Sequence, residues 1–181
     1  MKIGLVRHFK VISSHGRKYL NSEEFNERMS GYDIHPVKPN EVNINGSEWD
    51  VCYASTLSRA QTTAKTIYDG EIITTPLIIE VPISSFIKTN TRLHYMVWLI
   101  VGRIAWLLSL KSQKEVKPQT LSRIDEFINQ IESSGHQNIL IVSHGFFMKI
   151  FVRELKKHGF KGYLDFSPQN GKLYRFEKDK F

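Results

Sequence analysis

Three short apolar runs, each delivering a polar cluster into a following helical pattern, constrain this chain more than any other feature. Ile3-Gly4-Leu5-Val6 leads into Arg7-His8, Val51-Cys52-Tyr53-Ala54 into Ser55-Thr56-Leu57-Ser58-Arg59-Ala60, and Asn138-Ile139-Leu140-Ile141-Val142 into Ser143-His144-Gly145. Runs rich in Val and Ile followed by helix-period segments read as buried parallel strands. Strands are expected at 2–6, 50–54, 71–75, 138–142 and 171–176, with an extended stretch at 76–80. Helices are expected at 22–30, from Ser55 to about Tyr68, at 93–110, at 119–133 and at 145–157. Asn21 with Glu24 forms a capping-box pattern for the first helix, Ser55 is placed to cap the second, and Gly135 to end the fourth. Strands alternating with helices specify an α/β fold, a three-layer α/β/α sandwich with a mostly parallel central sheet. The chain length of 181 residues fits a single domain.

In such sheets ligands bind beyond the carboxyl ends of the strands. The two histidines and two arginines would therefore gather at one sheet edge. An arginine fork matches phosphate oxygens, and a neutral imidazole beside a held phosphate can attack phosphorus. Helix N-termini add partial positive charge, and the glycine after His144 permits close backbone approach. A leaving oxygen also needs a proton, and Glu80 is the best-placed acid, with Asp33, Asp69 and Glu71 as alternatives. Taken singly, each residue has a plainer reading: hydrogen-bonded strand-end histidines, a surface helix arginine, a solvated carboxylate. Together those plain readings must all hold at once.

These residues resemble motifs of the histidine phosphatase superfamily, the phosphoglycerate-mutase-like proteins. Leu5-Val6-Arg7-His8 is similar to the opening Arg-His motif. Ser55 to Ala64 matches the pattern Ser-x-Leu-x-Arg-Ala-x-x-Thr-Ala, and Val142-Ser143-His144-Gly145 is similar to the second histidine motif. The resemblance spans about 1–176. It implies a metal-independent phosphatase without a cofactor, hydrolysing a small-molecule phosphate monoester through a phosphohistidine. By that resemblance His8 is the nucleophile, and Arg7, Arg59 and His144 bind the phosphoryl group. Glu80 is the proton donor, and Ser14 stands near a phosphate-contacting position. Two alternatives remain: a phosphoglycerate-type mutase, and a non-catalytic module that binds a phosphate ligand or a protein. The sequence departs from the pattern at Phe9 and Lys10, where the family has Gly followed by other residues; Phe9 would either crowd the pocket or build an apolar wall. Val81-Pro82-Ile83-Ser84-Ser85-Phe86 also replaces the usual continuation after the acid.

The segment at 84–117 falls where the family carries a helical insertion or cap. Its apolar stretch Leu93–Leu110 reads first as a buried helix, with a homodimer face or a membrane-surface contact as the other readings, the last not expected. If Met96, Trp98 and Trp106 line the pocket mouth, the substrate carries a hydrophobic moiety. The formal net charge of +7 suits an anionic partner. Its short basic runs make no nucleic-acid stripe, so no nucleic-acid partner is expected. The lone cysteine, Cys52, reads as a small core residue, and with no signal-peptide pattern it points to the cytoplasm.

Overall fold

Burial of Ile3, Leu5, Val6, Val51, Cys52, Ala54 and Ile139 to Val142 sets the architecture, since each of these side chains is essentially inaccessible to water. The computed structural model describes residues 1–12, 16–31, 35–39, 42 and 44–179. In chain order these form β1 (Lys2–Arg7), β2 (Lys10–Val11), β3 (Tyr19–Leu20), α1 (Ser22–Gly31), β4 (Val37–Lys38), β5 (Val51–Ser55), α2 (Ser58–Ile67) and β6 (Ile72–Thr75). There follow β7 (Leu93–His94), α3 (Tyr95–Leu107), α4 (Lys117–Ser133), β8 (Asn138–Ser143), α5 (Gly145–Lys157), β9 (Lys161–Gly162) and β10 (Leu173–Glu177). Two compact units emerge. The first contains Met1–Val11, Pro36–Glu80 and Arg123–Phe181, and the second Ile12–His35 and Val81–Ser122.

The first unit carries a six-stranded sheet in the order β6-β5-β8-β1-β10-β9. The pairs β5–β6, β5–β8 and β1–β8 are parallel, and β10 joins β1 antiparallel, so the sheet is mostly parallel. Alternation along each strand sorts the side chains between two faces. Val6, Cys52, Ala54, Leu140 and Val142 pack with Trp49 and with Ala60 and Ala64 of α2. On the opposite face Tyr53 meets Phe127 of α4 edge-on at 5.4 Å, and Phe127 leans on Phe151 of α5. Helices thus cover both faces, the expected α/β/α layering. Cys52 is fully buried, and burial pushes its thiol up to about 12, as befits a core residue.

Two local expectations are corrected. Ser55 does not cap α2: it is the last residue of β5, and the helix starts at Ser58 with Leu57 at its cap position. The stretch after β6 is not extended, because Thr75 Oγ1 accepts from the Leu77 N–H and Pro76 presets φ, winding Pro76–Ile78 into a 3-10 turn.

The second unit contains α1, the β3–β7 pair and α3, together with the start of α4. The expected insertion at 84–117 falls inside it, joined by Ile12–His35, which the sequence reading did not group with it. Asn21 and Glu24 form the reciprocal capping box, with Glu24 N–H donating to Asn21 Oδ1 (2.9 Å) and Asn21 N–H to Glu24 Oε2 (3.0 Å). Its core is Leu20, Phe25 and Trp98, with Phe25 stacked on Trp98 at 5.5 Å and the Trp98 indole N–H donating to the Leu20 carbonyl. Trp106 is equally buried and donates to Thr120 Oγ1. Both tryptophans are therefore core residues of this unit, not lining of an open mouth; Met96 alone of the three proposed lining residues is exposed.

Candidate active site

Parallel register brings the candidate residues into one row. Arg7 at the end of β1 lies beside Ser143 at the end of β8, and Ala54 beside Val142 carries Ser55 to the same level. One residue beyond these strand ends stand His8 and His144, whose rings lie 5.0 Å apart with planes tilted 54°. Arg59 reaches them from the first turn of α2, where the helix docks on β5 through Ala60 and Ala64. His8 and Arg59 are each 2% exposed and His144 has no exposure. Arg7, His8, Arg59 and His144, spread over more than a hundred positions of the sequence, thus share one site at the carboxyl ends of the strands.

Each side chain is held in a defined state. His8 Nδ1 lies 2.6 Å from the Phe9 carbonyl oxygen, which can only accept, so Nδ1 carries the proton and Nε2 keeps the lone pair. The backbone around it is fixed from three sides: His8 N–H donates to the Ser143 carbonyl, Asn170 Nδ2 to the His8 carbonyl, and Phe9 N–H to Thr63 Oγ1. Thr63, the threonine of the α2 motif, in turn donates its hydroxyl hydrogen bond to the Arg59 carbonyl. Phe9 is fully buried, so it neither crowds an open pocket nor walls one. Its ring instead lies where a Cβ on Gly171 would come within 3.3 Å, at a backbone with φ +73°, two reasons for glycine there.

Arg59 Nε donates to His144 Nδ1 (3.2 Å), which makes Nδ1 the acceptor and leaves the Nε2 proton to Ser55 Oγ (2.8 Å). Both nitrogens of His144 are engaged within the protein, so an anion reaches this ring only by taking over one of those bonds. Arg7 donates through one terminal nitrogen to the Pro168 carbonyl, while its Nε is buried with no hydrogen-bond partner among the described residues. Its guanidinium lies against Gly145, where a Cβ would meet Nε at 3.0 Å, which accounts for glycine after the second histidine. A buried guanidinium donor left open, with Arg59 acting on the same two histidines, is what an anion site provides.

Glu80 lies at the N-terminus of α5, its carboxylate accepting from the Phe146 and Phe147 N–H groups at 3.2 and 2.9 Å. The helix amides expected to face a phosphate are thus given to Glu80. Asp69 and Glu71 precede β6, at the amino end of the sheet and away from the site, as the Cys52–Ile72 register shows. Ser14 and Asp33 lie outside the described residues. Among the described residues no three His, Cys, Asp or Glu side chains gather to hold a metal ion. Sequence reasoning missed Asn170, Pro168 and the bridging role of Thr63. Asn170 reaches the His8 carbonyl and Pro168 offers its own carbonyl to the Arg7 guanidinium, both across more than 160 positions and without a local sequence signal; Thr63 figures in the sequence only as part of a motif.

Burial lowers the pKa of His8 to about 3, with Arg59 and Arg7 adding to the effect against the Phe9 hydrogen bond. Burial, then Arg59, His8, Arg7 and Arg123, holds His144 well below its usual value. Both imidazoles are neutral near pH 7. In the unfolded chain each titrates near its ordinary value of about 6.5. Below that pH the unfolded state takes up protons that the native state refuses, so stability falls as the medium is acidified. The expected loss is about 1.4 kcal/mol per pH unit for each buried histidine. Urea unfolding between about pH 7 and about pH 4.5 checks it, with His8→Asn losing part of the slope. Parent and variant curves of equal slope would contradict the assignment of a neutral His8.

Residues 42–180 match the histidine phosphatase superfamily (branch 1). A comparison with curated proteins returned no match. Among solved structures, an Escherichia coli protein assigned as an alpha-ribazole-5'-P phosphatase is similar over 97% of this chain and 89% of its own, with 20% identity and a TM-score of 0.55. A phosphoserine phosphatase from Entamoeba histolytica, solved with 3-phosphoglyceric acid, is similar over 96% and 89%, with 17% identity and a TM-score of 0.53. The Mycobacterium tuberculosis open reading frame Rv3214 is similar over the same shares, with 16% identity and a TM-score of 0.53. At these identities the likeness is one of fold.

Proposed function

The chain belongs to the histidine phosphatase superfamily, and from that membership we propose that it hydrolyses a small-molecule phosphate monoester through a phosphohistidine on His8. The observation that carries the reading is the state of His8: its Nδ1 proton is spent on the Phe9 carbonyl, its Nε2 lone pair is left to react, and two arginines attend the same cluster. Arg7 and Arg59 hold the phosphoryl oxygens and spread their charge. Nε2 attacks phosphorus, and the bond to the ester oxygen breaks. Glu80 is assigned to give a proton to the departing oxygen. Water then attacks the phosphoryl-imidazole and gives a proton back to Glu80, and the P–N bonding pair returns to Nε2. No step draws on a cofactor or a metal. His144, neutral and tied to Arg59, positions that guanidinium and offers its ring to the bound phosphoryl group. Ser14 remains a proposal from the sequence resemblance alone. The Escherichia coli neighbour is assigned to alpha-ribazole-5'-P and the Entamoeba histolytica one is a phosphoserine phosphatase, substrates that share only the phosphate monoester. That shared group is the substrate class assigned to this chain. The buried lone cysteine fits a reducing, cytoplasmic setting.

Leaving-group dependence tests the reading. The parent is expected to hydrolyse both aryl and alkyl phosphates in excess chelator. Glu80→Gln should lose about 10²-fold or more on alkyl phosphates, whose alkoxide needs a proton, and far less on a nitrophenyl phosphate. Gln keeps one oxygen to accept from the α5 amides, so a purely capping role would lower both rates alike. Equal losses would remove Glu80 as the acid, and absence of parental turnover on every monoester would sink the phosphatase reading.

A further inference from the structure

Helix α3 is apolar on nearly every face, Arg103 being its one charged residue, and helices apolar all round are normally buried all round. Here one arc is buried: Trp98, Gly102, Ala105 and Trp106 face the core of the second unit. The opposite arc, about 120° wide at 100° per residue, consists of Met96, Val97, Ile100, Ile104, Leu107 and Leu108. All six are exposed, from 40% for Val97 to 63% for Leu108. A contiguous stripe of this kind marks a contact with something other than water. We propose that this outer face of α3 docks in the plane of an anionic lipid bilayer. The inference does not depend on the reaction assigned to His8.

Charge selects the occupant. The segment 84–117 holds six basic residues, Lys88, Arg92, Arg103, Lys111, Lys114 and Lys117, against one acid, Glu115. Glu115 is half-buried and bonded to Thr120, and Lys88, Lys111 and Lys114 are exposed in the loops leading into and out of α3. An apolar helix face flanked by lysines complements a surface of acyl chains beneath anionic headgroups. A second copy of the chain would instead bring two sets of these lysines towards each other, with no exposed acid in the segment to offset them. The helix does not span. Its thirteen residues reach about 20 Å at 1.5 Å per residue, short of the ~30 Å hydrocarbon core, and no helix among the described residues is long and apolar enough to cross a membrane.

Co-sedimentation of the full chain with vesicles decides the matter. Binding is expected to phosphatidylcholine vesicles containing phosphatidylserine, to weaken with added salt, and to be far weaker on phosphatidylcholine alone. The double variant Ile100→Asp with Leu107→Asp should lower partitioning about tenfold or more with its circular dichroism unchanged. Lys111→Glu with Lys114→Glu, outside the helix, tests the charge arm should the first pair misfold. A folded parent that stays in the supernatant with anionic vesicles overturns the proposal. So does binding that both double variants leave intact. A concentration-dependent dimer that Ile100→Asp with Leu107→Asp abolishes, without vesicle binding, would assign the face to a second copy instead.

Discussion

His8→Ala is expected to lower aryl-phosphate hydrolysis by about 10³-fold or more and to remove any phosphoryl-protein recovered after rapid quenching in base, where a phosphohistidine survives. The expectation rests on the Nε2 lone pair. The neighbouring His144 cannot substitute, because its Nδ1 already accepts from Arg59 and its Nε2 carries the proton given to Ser55. Folding should be little affected. The substitution deletes one side-chain hydrogen bond, to the Phe9 carbonyl, while the backbone bonds to Ser143, Asn170 and Thr63 remain. The change in stability should be about 1 kcal/mol, set by that bond and the small cavity. Steady-state rates in chelator, with thermal unfolding alongside, separate a lost nucleophile from a lost fold. Activity retained in His8→Ala would place the chemistry on another residue.

Arg59→Ala should reduce kcat/KM by about 10²- to 10³-fold, the usual cost of removing one charged donor to a developing oxyanion. Unlike the His8 variant, it should also destabilise the protein by about 1–3 kcal/mol, because His144 Nδ1 is left buried without its donor. Arg59→Lys should not restore the rate. An ammonium cannot present Nε to His144 and a terminal fork to a phosphate together. The Thr63 bridge, which uses the backbone carbonyl of Arg59, survives both substitutions and keeps the loop after His8 in place. Kinetics of both variants, with urea titrations, check the two effects independently. A lysine variant as fast as the parent would show that Arg59 acts as a bare charge.

Much of this was readable along the chain. The strands at 2–6 and 138–142 appear one residue longer, as Lys2–Arg7 and Asn138–Ser143, and the helix at 145–157 appears with those bounds. These elements are specified by burial, and buried β-branched runs declare themselves in any sequence. Gathering Arg7, His8, Arg59 and His144 needed only the rule that parallel strands end together. Contacts made by backbone carbonyls stayed hidden, whether distant, as Pro168 for Arg7, or adjacent, as Phe9 for His8, because a carbonyl carries no side-chain signature. Ser55 was misjudged for a related reason. A serine before a helix suits both a cap and a strand-end hydrogen bond, and only tertiary structure shows that His144 claims it. The outer arc of α3 was hidden because composition reports that a helix is apolar, not which side its neighbours cover.

The placement of β1 has a consequence for the order of events as the chain is made. Both its sheet partners lie far downstream: Lys2 pairs with Asn138 and Val6 with Leu173. The nucleophile that follows β1 is secured by Ser143 and Asn170. More than a hundred further residues must therefore leave the ribosome before β1 finds either of its partner strands. Until then an apolar strand stays unpaired, and contacts of such long sequence separation form slowly. Reactivity and assembly are coupled in time: His8 becomes competent only after Asn170 has been made.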